Sequence, residues 1–361
     1  MAIKRITMQE LADACGLSRN TVSKVFNERG TVPENTKQLV LRKAEELGYM
    51  QFNIDKNTGA EDKATSQPLQ NAGPANASVS AYSKKNVALL TKRIPNDYHF
   101  GSLFLPAFTE RLSRAGVTLM MYEIKESEFE EGRLPKHLVL DQTAGIITIE
   151  IFDKNYLEML SGLNIPLLAV DAFAEADMSL LNFDFISMEN IASTINLTSH
   201  LISKGAEKLG FVGDINHCNS FHERYMGFTR ALNKYELPLE KKICILDDDS
   251  EAYGSVEWFM NRIQSMPYRP DAFVCANDFI AINLLKAVKN LKLSVPADIK
   301  IAGFDGILQS EVVEPPLTTI KIPGKEIGRM AADMLMERMS KPAKPFMRLY
   351  VNTTPIFRSS T

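Results

Sequence analysis

The chain has 361 residues, of which 45% are hydrophobic and 24% charged, and its formal net charge is −3. That balance is an ordinary globular one, and no run of eighteen apolar residues is present, which excludes a membrane-spanning helix. A net charge so close to zero also excludes nucleic-acid affinity spread over the whole molecule, so any such affinity is local.

The first predicted unit is residues 1–52, three short helices. In TMQELADACGLSRNTVSKVFN (7–27), Thr7 and Glu10 have the spacing of a capping box. Leu11, Ala12 and Cys15 then recur on one helical face. Gly16 gives the backbone a tight turn, and Ser18 is a good N-cap for a second helix. Val22 with Val25 or Phe26 makes that helix's buried stripe. Arg19, Asn20, Thr21, Ser23, Lys24 and Asn27 are left to face outward. A third helix is predicted over Glu34 to Leu47, with Pro33 at its start and Gly48 as its stop. Two short amphipathic helices are also compatible with a small bundle. The exposed side chains point further, to a helix-turn-helix in the major groove of DNA, where Arg reads guanine, Asn reads adenine, and Ser or Thr reaches base or phosphate. Residues 1–50 carry eight Lys and Arg against six Asp and Glu. This is mildly basic, so useful affinity calls for two such units on one site.

Residues 53–85 are rich in Asn, Ala, Ser, Gly and Asp and nearly free of large apolar groups. They read as a flexible linker, with ends roughly 30 Å apart as a random coil. From residue 86 onward short apolar runs alternate with amphipathic helices. Strands are predicted at 87–91, 117–122, 145–149, 166–170, 209–213, 243–246, 272–276 and 300–304. Helices are predicted at about 101–115, 154–162, 189–204, 224–236, 253–265, 277–291 and 325–339. The fold class is α/β, with two lobes built on parallel sheets covered by helices on both faces and a cleft between them. Ligands bind such sheets beyond the carboxyl ends of the strands. Asp171, Asn277, Asp278 and Asp305 follow strands directly, Arg224 lies after the loop that follows 209–213, and Tyr98 and Phe100 precede the first helix of the first lobe. Carboxylates, an amide and a guanidinium can pair with the hydroxyls of a sugar, and aromatic rings can cover its apolar face. For Asn277, capping its own helix is as good a reading as ligand contact.

Other chemistries find little support. The four cysteines (Cys15, Cys218, Cys244, Cys275) include no C-x-x-C and read as reduced thiols of a cytoplasmic protein. His217, Cys218 and His222 match no zinc spacing and lack an evident fourth ligand, so no metal is expected. There is no G-x-G-x-x-G after the first strand, no phosphate loop and no nucleophile elbow, which argues against an enzyme and against a bound cofactor. A solute-binding protein for transport would share the two lobes, but the first fifty residues and the lack of a secretory signal argue against it.

The segments LADACGLSRNTVSKVFN (11–27), AEELGY (44–49), RYMGF (224–228), ANDFIAI (276–282), IAGFDG (301–306), PPLTTIKIPGKEIG (315–328) and RSST (358–361) stand in one order. In that order the chain resembles the lactose-repressor and galactose-repressor family of bacterial transcription regulators, over nearly its whole length except the linker. The resemblance implies a cytoplasmic homodimeric repressor whose second helices read the half-sites of a palindromic operator under control of a small effector, a sugar or sugar derivative. It implies DNA contacts by Arg19, Asn20 and Lys24 and a pocket that uses Arg224, Asp278 and Asp305, with Asp171 near a further position. The sensor of the family resembles periplasmic sugar-binding proteins. The family also implies three chain crossings between lobes, with lobe one at about 86–185 and 322–346 and lobe two at about 186–321 and 347–361.

Two features depart from the family's pattern. The run LGYMQFNIDKNTGAED (47–62) lacks the proline, arginine and leucine of the usual hinge helix, and the linker is some twenty residues longer than usual. Without that leucine no minor-groove wedge is expected, and coupling between the sensor and DNA would rest on dimer geometry and linker reach. Met188 stands where relatives often carry an aspartate.

Overall fold

The computed structural model describes residues 8–26, 33–46, 86–92, 101–177, 180–248 and 251–361. The chain divides into two compact units, Met1–Asn76 and Ala77–Thr361. Thr7, Asn27, Tyr98 and Phe100, the expected stop at Gly48, and the whole linker lie outside the described residues.

The first unit holds α1 (Met8–Cys15), α2 (Arg19–Phe26) and α3 (Glu34–Glu46). Leu11, Ala12, Val22 and Val40 are fully buried and Val25 nearly so, which closes a small core on the predicted stripes. Gly16 takes a left-handed φ of 65° and lets the chain leave α1. Leu17 N–H then donates back to the Ala12 carbonyl at 3.0 Å. Ser18 Oγ accepts from Thr21 N–H at 3.1 Å, so one orphan donor at the start of α2 is satisfied. The Pro33 carbonyl accepts from Thr36 and Lys37 and opens α3.

The second unit begins with β1 (Asn86–Thr91), α4 (Gly101–Arg114), β2 (Thr118–Glu123), α5 (Glu126–Glu130), β3 (Thr143–Ile149), α6 (Lys154–Ser161), β4 (Leu167–Val170) and β5 (Asp184–Met188). It continues through α7 (Ile191–Ser203), β6 (Leu209–Val212), α8 (Asn219–Lys234), α9 (Val256–Gln264), β7 (Ala272–Cys275), α10 (Asp278–Asn290), β8 (Lys300–Ala302), α11 (Gln309–Val312) and β9 (Thr319–Lys321). The last elements are α12 (Gly324–Ser340), β10 (Arg348–Val351) and β11 (Thr354–Ile356).

One six-stranded sheet has the order β10-β5-β4-β3-β1-β2, and every neighbouring pair in it is parallel. A three-stranded parallel sheet, β6-β7-β8, makes the core of lobe two, and β11 pairs antiparallel with β9 beside it. The chain crosses between lobes after β5, after β9 and after β10. The lobe limits therefore differ from the expected ones. Arg348 to Val351 pair with Phe185 to Met188, so residues 186–188 and 348–351 belong to lobe one rather than lobe two. The predicted strand at 243–246 is instead a 3-10 turn, Lys241–Ile243, followed by a single parallel bridge from Ile245 to Val212. The chain turns there because Cys244 N–H bonds back to the Lys241 carbonyl.

Charge is also buried deep in lobe one. Asp184, with 0% side-chain exposure, receives Arg338 Nε at 2.8 Å and Nη2 at 2.9 Å, the parallel fork of a bidentate pair. Met347 N–H adds a third donor at 2.7 Å. The same guanidinium donates to the carbonyls of Pro342, Lys344 and Pro345 and so fixes the loop that leads α12 into β10.

Candidate functional site

Two places gather the predicted residues. On α2, Arg19 and Lys24 are exposed, Ser18 is exposed while capping the helix, and Thr21 is half-buried against it. Asn20 and Ser23 lie in the same helix. The helix thus keeps Val22 and Val25 inward and leaves two cations outward.

The second place is the crevice of the second unit, at the carboxyl ends of β4, β6, β7 and β8. Arg224, in the second turn of α8, is 4% exposed. Its Nε donates to Asn190 Oδ1 at 3.0 Å and its Nη1 to the Ala276 carbonyl at 2.6 Å. Nη1 also stands 3.4 Å from Asp305 Oδ1. The guanidinium lies 3.8 Å from the centroid of the Phe304 ring, a cation–π contact worth about 2 kcal/mol when desolvated. A buried cation needs such a complete set of partners. The guanidinium is therefore fixed in position at the wall of the crevice, facing the Asp305 carboxylate.

Asp305 has a φ of 113°, which a side chain rarely adopts. Ladder bonds hold it there: its N–H donates to the Ile320 carbonyl at 2.9 Å and its carbonyl accepts from Ile322 at 3.1 Å. Such strain persists where the surroundings over-determine it, and it aims the carboxylate at Arg224. Asp278, fully buried, takes Thr319 Oγ1 at 2.6 Å on one oxygen and Ile307 N–H at 3.0 Å on the other. It fastens the loop that carries Asp305. Burial pushes the Asp278 carboxyl well above the usual carboxylate range, and the neighbouring Asp305 carboxylate pushes it the same way. Gly303 is the counterpart of that arrangement, since a Cβ there would sit inside contact distance of Asp278 Oδ1 and 3.0 Å from Leu317 Cδ2. Gly303→Ala is therefore expected to cost about 1–3 kcal/mol, the range for overpacking. Urea unfolding of the variant checks this, and an unchanged midpoint would refute it.

Asp171 directly follows β4 and has a φ of 66°. Its Oδ1 accepts from Ala172 N–H at 2.9 Å and its Oδ2 from Ser220 N–H at 3.3 Å, in the first turn of α8. A lobe-one carboxylate therefore caps a lobe-two helix, which favours negative charge there. Burial nonetheless pushes its carboxyl up, against the opposing hydrogen bond from Ser220. Asn277 caps α10, with Oδ1 accepting from Ile280 N–H at 2.9 Å. Cys218 is the buried N-cap residue of α8, and burial pushes its thiol well up. The His217 ring packs at 5.0 Å from Phe152 and 4.8 Å from Phe221. No group of three or more metal-ligating side chains is found among the described residues.

The crevice thus joins Asp171, Arg224 and Asp305, with Asn277 and Asp278 engaged at the foot of α10. Sequence reasoning missed Asn190, Ser220, Glu223 and Phe304. Phe304 stood in the run KIAGF just before Asp305 and was readable as a strand-end aromatic. Asn190 was flagged only indirectly, two residues beyond the unusual Met188.

Comparison with known proteins follows the same division. Residues 7–51 match the bacterial regulatory proteins of the lacI family. Residues 198–361 match a periplasmic binding protein-like domain. The chain is 26% identical over 337 residues to the HTH-type transcriptional repressor PurR of Actinobacillus pleuropneumoniae serotype 3 (strain JL03), covering 92% of this chain and 91% of that protein. It is 23% identical to the probable HTH-type transcriptional repressor ExuR of Bacillus subtilis (strain 168), covering 98% of each. Among solved structures, the transcriptional regulator CelR in complex with cellobiose superposes with a TM-score of 0.68 at 21% identity, covering 99% of this chain and 100% of that one. The lac repressor dimer bound to operator and the anti-inducer ONPF gives a TM-score of 0.66 at 21% identity, covering 99% of each.

Proposed function

The chain belongs to the lacI family of bacterial regulatory proteins, and from that premise we propose that it represses transcription as a cytoplasmic homodimer on a palindromic operator, under control of a sugar or sugar derivative. It is a DNA-binding transcription repressor with a periplasmic-binding-protein-like sensor. The observation that carries the finer reading is the crevice around Arg224: a buried guanidinium fixed by Asn190 and the Ala276 carbonyl and faced by the Asp305 carboxylate, at the carboxyl ends of parallel strands. Solved proteins of similar fold hold cellobiose and ribose, which supports a sugar here. In this reading Arg224, Asp305 and Asp171 line the effector site, Tyr98 and Phe100 are further effector contacts, and Asp278 and Asn277 support it. Thr7, Ser18, Arg19, Asn20, Thr21, Ser23, Lys24 and Asn27 meet the operator.

A homodimer is supported by apolar side chains left exposed on both lobes. Leu103, Met120, Met121 and Met330 are more than 40% exposed on lobe one, as are Leu308 and Val312 on lobe two. The strand β2 that carries Met120 and Met121 is an edge strand, which invites cover. The effector then acts by differing in affinity for the two lobe arrangements, one of which seats both second helices on their half-sites.

The reading is tested by selecting an operator from random duplexes and titrating it with and without a panel of neutral and acidic sugars. A sugar that shifts operator affinity supports it, and the absence of any shift across the panel would sink the effector part. Arg19→Ala is expected to cost about 1–3 kcal/mol on the selected operator and to relax preference at one base pair. Equal weakening on every duplex would place Arg19 on phosphate instead.

A further inference from the structure

Arg224 is held by a hydrogen-bond chain that ends on the other lobe, and we propose that Glu223 is its positioning residue. By accepting from Asn190 and Tyr350 together, Glu223 fixes the Asn190 amide that holds the Arg224 guanidinium. The importance of this for sensing rests on Arg224 being an effector contact, but the geometry does not.

The chain runs as follows through the molecule. Tyr350 hydroxyl, on β10 of lobe one, donates to Glu223 Oε1 at 3.1 Å. Asn190 Nδ2 donates to Glu223 Oε2 at 2.8 Å. Asn190 Oδ1 then accepts from Arg224 Nε at 3.0 Å. Asn190 is 1% exposed, so water cannot replace a lost partner. A carboxylate only accepts, so it draws the amide NH2 toward itself and leaves the amide oxygen for the guanidinium. The Met188 carbonyl takes the other hydrogen at 2.9 Å, which pins the amide from both sides.

The placement of these residues gives the chain its meaning. Asn190 lies two residues past β5, at the first crossing between lobes, and Tyr350 lies one residue before the end of β10, at the third. Glu223 and Arg224 are neighbours on α8 of lobe two. Rotation of the lobes about the crossings therefore moves Tyr350 and Asn190 relative to α8, and the guanidinium with them. A crevice-lining group is thus tied to two of the strands that link the lobes, and it changes its setting when they turn.

The test reads the Arg224 Nε–H proton directly in ligand-free, full-length protein labelled with 15N-arginine, its resonance identified by its loss in Arg224→Lys. Glu223→Ala is expected to raise the solvent exchange rate of that proton at least tenfold at neutral pH. Glu223→Gln, which can still accept from Asn190 and donate to Tyr350, is expected to stay within threefold of wild type. A merely structural glutamate would not produce this split. Should Glu223→Ala fail to fold, Glu223→Asp carries the test: it keeps the charge, shortens the reach by one carbon, and is expected to raise exchange at least fivefold. Exchange within twofold of wild type in the alanine or aspartate variant, or equal rates in the alanine and glutamine variants, overturns the proposal. Because no effector is added, a failure here is separate from a failure of the effector reading, which the sugar panel decides.

Discussion

Arg224→Ala is expected to weaken binding of the effector at least a hundredfold while leaving operator binding by the effector-free protein within about threefold. The guanidinium is held at the crevice by Asn190, Ala276 and the Phe304 ring. Truncating one partner of a buried, hydrogen-bonded charge pair costs about 2–5 kcal/mol in binding. The loss has two parts. The effector's oxygen forfeits its donor, and Asp305, 10% exposed, is left facing the site without its cation. Arg224→Lys retains the charge but not the planar fork, so it should recover only part of the affinity. Titration calorimetry with the sugar chosen by the panel measures both variants. Wild-type affinity in Arg224→Ala would remove Arg224 from the site.

The largest effect on stability is expected from Arg338→Met. Asp184 is fully buried, and the guanidinium supplies two of its three donors. Removing one member of such a pair leaves an uncompensated buried charge and costs about 3–5 kcal/mol. The loop carbonyls of Pro342, Lys344 and Pro345 lose their donor in the same step, so β10 should fray from β5. Asp184→Leu combined with Arg338→Met should recover much of the loss, because two apolar groups replace two charges. Denaturant unfolding of the two singles and the double measures the coupling. Additive losses would show that the two side chains do not depend on each other.

What sequence reasoning could read follows from how far each residue's partners lie along the chain. Helix α2 was legible because Ser18, Thr21, Val22 and Val25 determine it within one turn or two. Strands β1, β3, β4 and β7 were legible as apolar runs buried on both faces. By contrast, β5 opens on Asp184, and a charge at the head of a strand argues against one until Arg338 appears 154 residues later. Strands β9, β10 and β11 are three or four residues long and half polar, too short for a period to show. Helix α8 was expected to start at about residue 224 but begins at Asn219; its N-cap residue, Cys218, is not a favoured capping type and makes no side-chain cap bond, so the true start left no sequence signal. That late start hid Ser220 and Glu223. For Asp278, local reading offered a cap or a ligand. Its actual bonds go to Ile307 and Thr319, 29 and 41 residues away, and no local pattern announces them.

The order of the strands in space also bears on how the two lobes depend on each other. The edge strand β10 of the first sheet and the strand β11 that closes against β9 are separated in sequence by only two residues. Each lobe takes its closing strand from the same short stretch of chain, so damage to that one stretch, by cleavage or by a proline that removes a ladder donor, would leave both lobes unfinished.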